Sequence, residues 1–214
     1  AVVVWQAGRS TGSSSNIEAA PLDITNGVGS PVTWAVNQLD AIGLSAYADG
    51  NIFVSWRSWD PFNFSNRINF MEVSRNDLNN ILQQTTIPFP LLGSTEILSE
   101  YSFIAEEGYC AAVEFITDFM LTTQTLRVMY KPHGSSVWSA PADIITTSSP
   151  AMLYSTIGLD IKPINNVPFL LAHFRLSSPA QSSPPRLYET RLNMATGAAQ
   201  TAVLVAQNVL GGTA

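Results

Sequence analysis

Charge is scarce in this chain. Only 12% of its 214 residues are Asp, Glu, Lys or Arg, and the lysines are Lys131 and Lys162 alone. Globular domains ordinarily carry about twice that charged fraction, and the Ser, Thr and Asn that replace it point to a β-rich chain rather than a helical cytosolic enzyme. The net charge is −6 at pH 7, with no basic stripe. Nucleic-acid partners are thereby excluded, because a phosphate backbone is recognised through clustered Lys and Arg. A lone cysteine, Cys110, rules out an intrachain disulfide framework, and its setting in GYCAAVEF is that of a small buried hydrophobe. No apolar run approaches the roughly 18 residues of a membrane-spanning helix, and no charged-then-apolar leader is present, so no membrane insertion is expected. The chain opens inside a strand pattern without Met, which reads as a mature or excised portion of a longer product. Catalytic signatures are equally thin. There is no HExxH, Cys/His cluster, Asp-rich loop, Gly-x-Ser-x-Gly elbow or Gly-rich phosphate loop, so neither a metal, nor a cofactor, nor an enzymatic activity is expected.

What the chain does have is a period. Trp5, Trp56, Phe115 and Phe174 each end a short apolar run (AVVVW, NIFVSW, CAAVEF, PFLLAHF) and lie 51, 59 and 59 residues apart. After each anchor come a polar loop and a second strand-like segment, starting at Ile17, Ile68, Leu126 and Leu187, which is 12, 12, 11 and 13 residues on. Near-constant spacing at both levels marks a repeat protein. The units run over about 1–40, 41–98, 99–154 and 155–214 of a single domain.

Each unit divides alike. An inner strand (42–48, 102–107, 157–161) leads through a Gly- or Asn-bearing turn to the anchor strand. Asp49-Gly50 and Asn165-Asn166 tolerate the positive φ of a hairpin turn. A third strand (68–74, 126–131, 187–192) and a fourth (81–87, 142–147, 201–207) follow. Four antiparallel strands with no amphipathic helix between units is the blade of a β-propeller, and stacking blades buries faces that a lone blade leaves wet. The expected fold is therefore all-β, with four blades.

The best copy of the unit's end is YKPHGSSVWSAPADI at 130–144, where Trp138, Ser139 and Pro141 close the turn between the third and fourth strands. On these residues the chain resembles bacterial β-propeller repeat proteins with degenerate Asp-box, sialidase-like repeats. It departs from a full Asp box, since Gly134 and Trp138 are four apart and no Asp precedes the glycine; SRND at 74–77 is a second remnant. The resemblance implies a secreted, periplasmic or cell-surface protein. From Leu187 to the end are 27 residues, and joining them to Trp5 supplies 32 where other units use 39 to 48. The inner strand of the first unit is thus missing, and an arc of a larger propeller is the favoured reading, completed by further blades or a partner.

Two local features stand out. The residues before the anchors include Glu114 and His173, so a buried polar pair between adjacent blades is expected, because burial of charge requires a partner. The loop RSWDPFNFSNR at 57–67 concentrates Trp59, Phe62 and Phe64, with Arg57, among turn residues. Large aromatics in a polar loop suggest a contact surface for a protein partner. The competing reading is a glycan-binding propeller or decayed glycosidase. That reading has candidates by residue type, namely Arg57, Arg67, Arg127, Arg175, Arg186 and Tyr188-Glu189. A lectin should repeat its aromatics in several units, yet the positions matching Trp59 are Gly8, Asp118 and Ser177.

Overall fold

The computed structural model describes residues 1–7, 16–23, 25–35, 45–60, 65–93, 95–118, 120, 122–148, 152–177 and 186–206. Among them every regular element is a β-strand, and four antiparallel sheets follow one another along the chain. The first contains β1 (Val2–Ala7), β2 (Asn16–Asp23), β3 (Gly27–Val28) and β4 (Val32–Ala35). The second is the meander β5 (Ser45–Asp49), β6 (Asn51–Asp60), β7 (Ser65–Val73) and β8 (Ile81–Thr86). The third is β9 (Glu96–Glu106), β10 (Tyr109–Asp118), β11 (Thr123–Pro132) and β12 (Ala142–Ser148). The fourth is β13 (Met152–Ile164), β14 (Val167–Ser177) and β15 (Arg186–Asn193), with β16 (Ala198–Ala199) and β17 (Val203–Ala206) both paired to β15. The expected inner, anchor, third and fourth strands thus recur in order. Two of the repeat boundaries fall too late, because β9 begins before residue 99 and β13 before residue 155.

Local chemistry sets the turns. Glu107 and Gly108 (φ 51 and 76) and Asn165 and Asn166 (φ 53 and 63) form two-residue loops that join β9 to β10 and β13 to β14. Positive φ at both central residues matches the right-handed twist of the flanking strands. The connections to the fourth strands are closed by side chains acting on the backbone. Asp23 Oδ1 accepts from the amides of Thr25 and Asn26 at 2.7 and 2.8 Å, Asp77 Oδ1 accepts from Asn79 at 3.0 Å, and Asn193 Oδ1 accepts from Ala195 and Thr196 at 2.9 and 3.1 Å. In the third sheet Ser139 takes this part: its amide donates to Tyr130 O and its Oγ accepts from the Tyr130 amide. Such short polar side chains offer the backbone a ready turn.

Two compact units emerge, Ala1–Phe89 and Pro90–Ala214. In the first, one face of the first sheet meets one face of the second: Ile17, Ala19 and Trp34 pack with Ile52, Val54, Trp56, Met71 and Val73, while Val2, Val4 and Val32 flank them. Trp34 Nε1 donates to Leu78 O at 2.8 Å across this contact. In the second unit β13 runs alongside β9, and β10 is buried from Cys110 to Thr117 on both of its faces. Cys110 is fully buried, as its sequence context suggests.

The ladders decide which face each anchor occupies. Ala1 and Leu22 exchange both backbone bonds, so by the alternation of an antiparallel pair Trp5 bonds toward β2. Ile87 N donates to Ile68 O, which turns Asn69, and hence its partner Trp56, toward the β6–β7 ladder. Met194 N donates to Pro168 O, which likewise turns Phe174 toward β15. His133 N, however, donates to Gly108 O, so that Cys110, Ala112 and Glu114 bond toward β11 and Phe115 bonds toward β9. For L-residues on a strand of given direction, bonding side and side-chain face are coupled. Trp5, Trp56 and Phe174 therefore occupy corresponding faces, and Phe115 occupies the opposite one. The expectation of four equivalent anchors is corrected here: one residue of extra spacing flips a strand's side chains. Burial differs too. Trp56, Phe115 and Phe174 are 3%, 5% and 1% exposed, whereas Trp5 is only half-buried, because β1 pairs with β2 alone among the described residues.

Candidate functional site

With Phe115 turned away, the face that carries Trp56 in the second sheet and Phe174 in the fourth carries Cys110, Ala112, Glu114 and Ile116 in the third. Glu114 thus stands in an otherwise apolar stripe and is 4% exposed. Across the sheet it lies opposite Tyr101 of β9 and Arg127 of β11, and Arg127 in turn lies opposite Asp143 of β12. One continuous row, Tyr101–Glu114–Arg127–Asp143, crosses all four strands.

Within that row Arg127 and Asp143 are engaged with each other. Arg127 Nε donates to Asp143 Oδ1 at 2.7 Å and Nη2 donates to Oδ2 at 3.3 Å, a forked pair. Glu114 Oε2 is buried and accepts no hydrogen bond from the described residues. Loss of water around it pushes its pKa up to about 8; the Arg127 guanidinium lowers it, and the Glu96 and Asp143 carboxylates add to the rise. Desolvation therefore outweighs the nearest cation, and at neutral pH Glu114 is a neutral carboxylic acid able to hold and donate a proton. Glu100, with a buried and unbonded Oε2, is also raised by desolvation.

Lys131 lies on the same face, opposite Cys110, and is fully buried. Its Nζ donates to Ser135 O at 2.7 Å and sits 5.6 Å from the centre of the Trp138 ring. The YKPHGSSVWS turn folds back over its own lysine. Trp138, expected as a structural anchor, is 7% exposed. The positions matching Lys131 are Val73 and Leu192, so this face of the third sheet is ionic where the others are apolar.

His173 has a different partner from the one expected. It lies opposite Gly158 and Glu189, and its Nε2 is 2.9 Å from Glu189 Oε2, while Glu189 Oε1 accepts from Arg191 Nε at 2.7 Å. The hydrogen bond from Arg191, aided by that from His173, holds the Glu189 carboxyl below the usual range. The expected Glu114–His173 pair is replaced by these contacts. The two positions have opposite facing in their sheets, so Glu114 joins Arg127's row and His173 joins a half-exposed charged face with Asp160, Lys162 and Arg191. Arg57, from the candidate loop, is half-buried on β6 opposite Ile68, on the face opposite Trp56. Trp59 belongs to β6 and pairs with Asn66. Its side chain, with Phe62 and Phe64, lies outside the described residues.

Of the arginines considered for a glycosidase, Arg127 is held by Asp143 and Arg175 lies opposite Leu187. Tyr188 stacks on Phe174 with ring centres 6.1 Å apart, and its neighbour Glu189 is engaged by His173 and Arg191. Among the described residues no group of three His, Cys, Asp or Glu side chains is placed to hold a metal. Sequence reading missed the Arg127–Asp143 fork and the buried Lys131. Counting alternation from Gly108 would have placed Glu114 and Cys110 on one face; Lys131 joins that face through the β10–β11 register. No family model, curated protein or solved structure matches the chain.

Proposed function

We propose that the chain is a β-propeller repeat module with decayed Asp-box turns, acting without catalysis as a binding or scaffold part of a secreted or envelope-associated protein. The repeat itself supports blades: four antiparallel sheets of similar strand order, with anchor strands apolar on both faces, would leave wide apolar surface wet unless stacked. One observation carries the binding reading. Large apolar residues fall at the passage from anchor strand to third strand in two sheets: Trp59 near the end of β6 with Phe62 and Phe64 between β6 and β7, and Phe119, Met120 and Leu121 between β10 and β11. Met120 is 81% exposed. The connection that presents it is braced by Asp118, whose carboxylate accepts from the amides of Thr122 and Thr123 at 2.6 and 3.2 Å. The Thr122 hydroxyl, joined by those amide bonds and the Thr123 hydroxyl, holds the Asp118 carboxyl below its usual range. An apolar tip on a braced connection loses little freedom on docking, which favours a protein partner.

The test replaces Trp59, Phe62 and Phe64 together by Ser, with Met120→Ser as a separate variant. Both are expected to keep the wild-type melting temperature and to weaken association in pull-downs from the native source. A clear drop in melting temperature with association intact would mean that these side chains belong to the core, and the contact reading of both connections would be abandoned.

A further inference from the structure

The row that crosses the third sheet holds one cation between two carboxyl groups. Arg127 lies opposite Glu114 on one side and opposite Asp143 on the other, and directly opposed residues stand about 5 Å apart at Cβ, within reach of an arginine on either side. Its guanidinium is committed to Asp143 through Nε and Nη2. The two carboxyl groups differ in their need for it. The Asp143 side chain is 45% exposed, so water can solvate it if the fork opens, whereas Glu114 is 4% exposed and its Oε2 accepts no hydrogen bond from the described residues. An exposed ion pair contributes little to stability, and a buried ion without a partner is strongly destabilising. Once Glu114 carries charge, the fork to Asp143 is therefore the contact that is given up.

The other charged groups of this face are engaged elsewhere. Glu96 of β9 accepts from the Gly93 amide, Asp118 of β10 accepts from the Thr122 and Thr123 amides, and Lys131 of β11 donates to Ser135 O. Tyr101 of β9 stands opposite Glu114, Cys110 stands beside Lys131, and Glu100 lies opposite Phe115 and faces the other way. The charges that act on Glu114 are Arg127, which favours its ionised form, and Glu96 and Asp143, which oppose it. Arg127 is thus the cation that can answer it.

What the fork holds is the start of β12. The β11–β12 ladder shifts register between Leu126 and Arg127, where Ile144 is the extra residue, and two pairs continue beyond it, Arg127–Asp143 and Val128–Ala142. A bulge of this kind locally disrupts a ladder. Glu114 and Arg127 exchange main-chain bonds, so Arg127 turns its N–H and C=O toward β10 and reaches β12 through its side chain.

We propose that Glu114, Arg127 and Asp143 form a proton-controlled latch: with Glu114 protonated, Arg127 clamps the start of β12 through Asp143, and loss of that proton to solvent draws the guanidinium across to Glu114 and releases Ala142 and Asp143. Ser139, bonded independently to Tyr130, keeps the preceding turn in place. Burial holds the Glu114 proton up to about pH 8, so the latch is closed at neutral pH and opens in mildly basic solution. The contacts lie inside the third sheet and do not depend on the apolar connections.

Carbon-13 NMR of the side-chain carboxyl and guanidinium carbons follows all three groups from pH 5 to pH 10. Asp143 Cγ and Arg127 Cζ should shift with the same midpoint as Glu114 Cδ. Above that midpoint the protection of the Val128 and Ala142 amides, measured by hydrogen exchange, should fall at least about tenfold, while Ala112 in the β10–β11 ladder keeps its own. Glu114→Gln should show none of these changes. Asp143→Asn frees Arg127 in advance and should lower the Glu114 midpoint by about one pH unit or more. The latch is overturned if Asp143 Cγ does not follow the Glu114 transition, if its shift persists in Glu114→Gln, if Val128 and Ala142 stay protected above the midpoint, or if Asp143→Asn leaves the midpoint where it was.

Discussion

Replacing Glu114 by Gln should remove most of a pH dependence that the wild-type chain carries between mildly acidic and mildly basic solution. The folded-state pKa is about 8 against an ordinary value of 4.5. For an acid raised in this way, the folded protein holds a proton that the unfolded chain has released. The associated stability is full below pH 4.5, declines as pH rises, and is lost once pH passes about 8. Each pH unit in that window is worth about 1.4 kcal/mol, so the 3.5-unit window corresponds to about 5 kcal/mol as an upper bound, with about 3 kcal/mol already lost at pH 7. Gln keeps the shape and cannot ionise. Urea denaturation of both proteins at pH 5, 6, 7 and 8 is the assay, and the subtraction removes other titrating groups such as Glu100. The variant should match the wild type at pH 5 to within about 1 kcal/mol and exceed it by several at pH 8. Parallel stability curves would refute the reasoning, because they would mean that Glu114 ionises in the folded state as it does in water.

Two further substitutions probe the surrounding architecture. Trp56→Ala empties a site shared by both sheets of the first unit and should cost about 3–5 kcal/mol; equilibrium denaturation checks it, and a loss under about 1 kcal/mol would place Trp56 outside a core. Lys131→Ala removes the donor to Ser135 O and the cation over Trp138, and the unbonded carbonyl and lost packing should together cost about 2–4 kcal/mol. Lys131→Met, which keeps the packing, should recover part of that loss in the same measurement.

Much of the local structure was legible because it depends on spacing. The hairpin at Asn165-Asn166 follows from the φ that asparagine tolerates, and the fourth strands at 81–87 and 142–147 from apolar runs bounded by turn residues. The third-to-fourth turn of the third sheet follows from Trp138-Ser139-x-Pro141. Less legible was Glu107, which adopts positive φ although its side chain gives no special reason for it; the following Gly108 and the twist of β9 and β10 impose it. The candidate site was half visible. Glu114 was singled out for its position before an aromatic, and that reasoning assigned it the wrong partner.

The period, the all-β class and the order of strands within each unit were therefore determined by the sequence alone, since apolar alternation and turn residues act over a few positions. The tertiary structure decided facing and partnership. Side chains in a strand alternate with a period of two, so a single residue between Gly108 and the anchor is enough to turn Phe115 to one face and Glu114 to the other. Alternation from Gly108 groups Cys110 with Glu114, but which side chains that face meets is decided by the ladder with β11, which begins where His133 bonds to Gly108. Once made, it sets the Glu114 carboxyl beside Arg127 and Asp143 and buries Lys131 under Trp138, while in the fourth sheet the β14–β15 register gives His173 to Glu189.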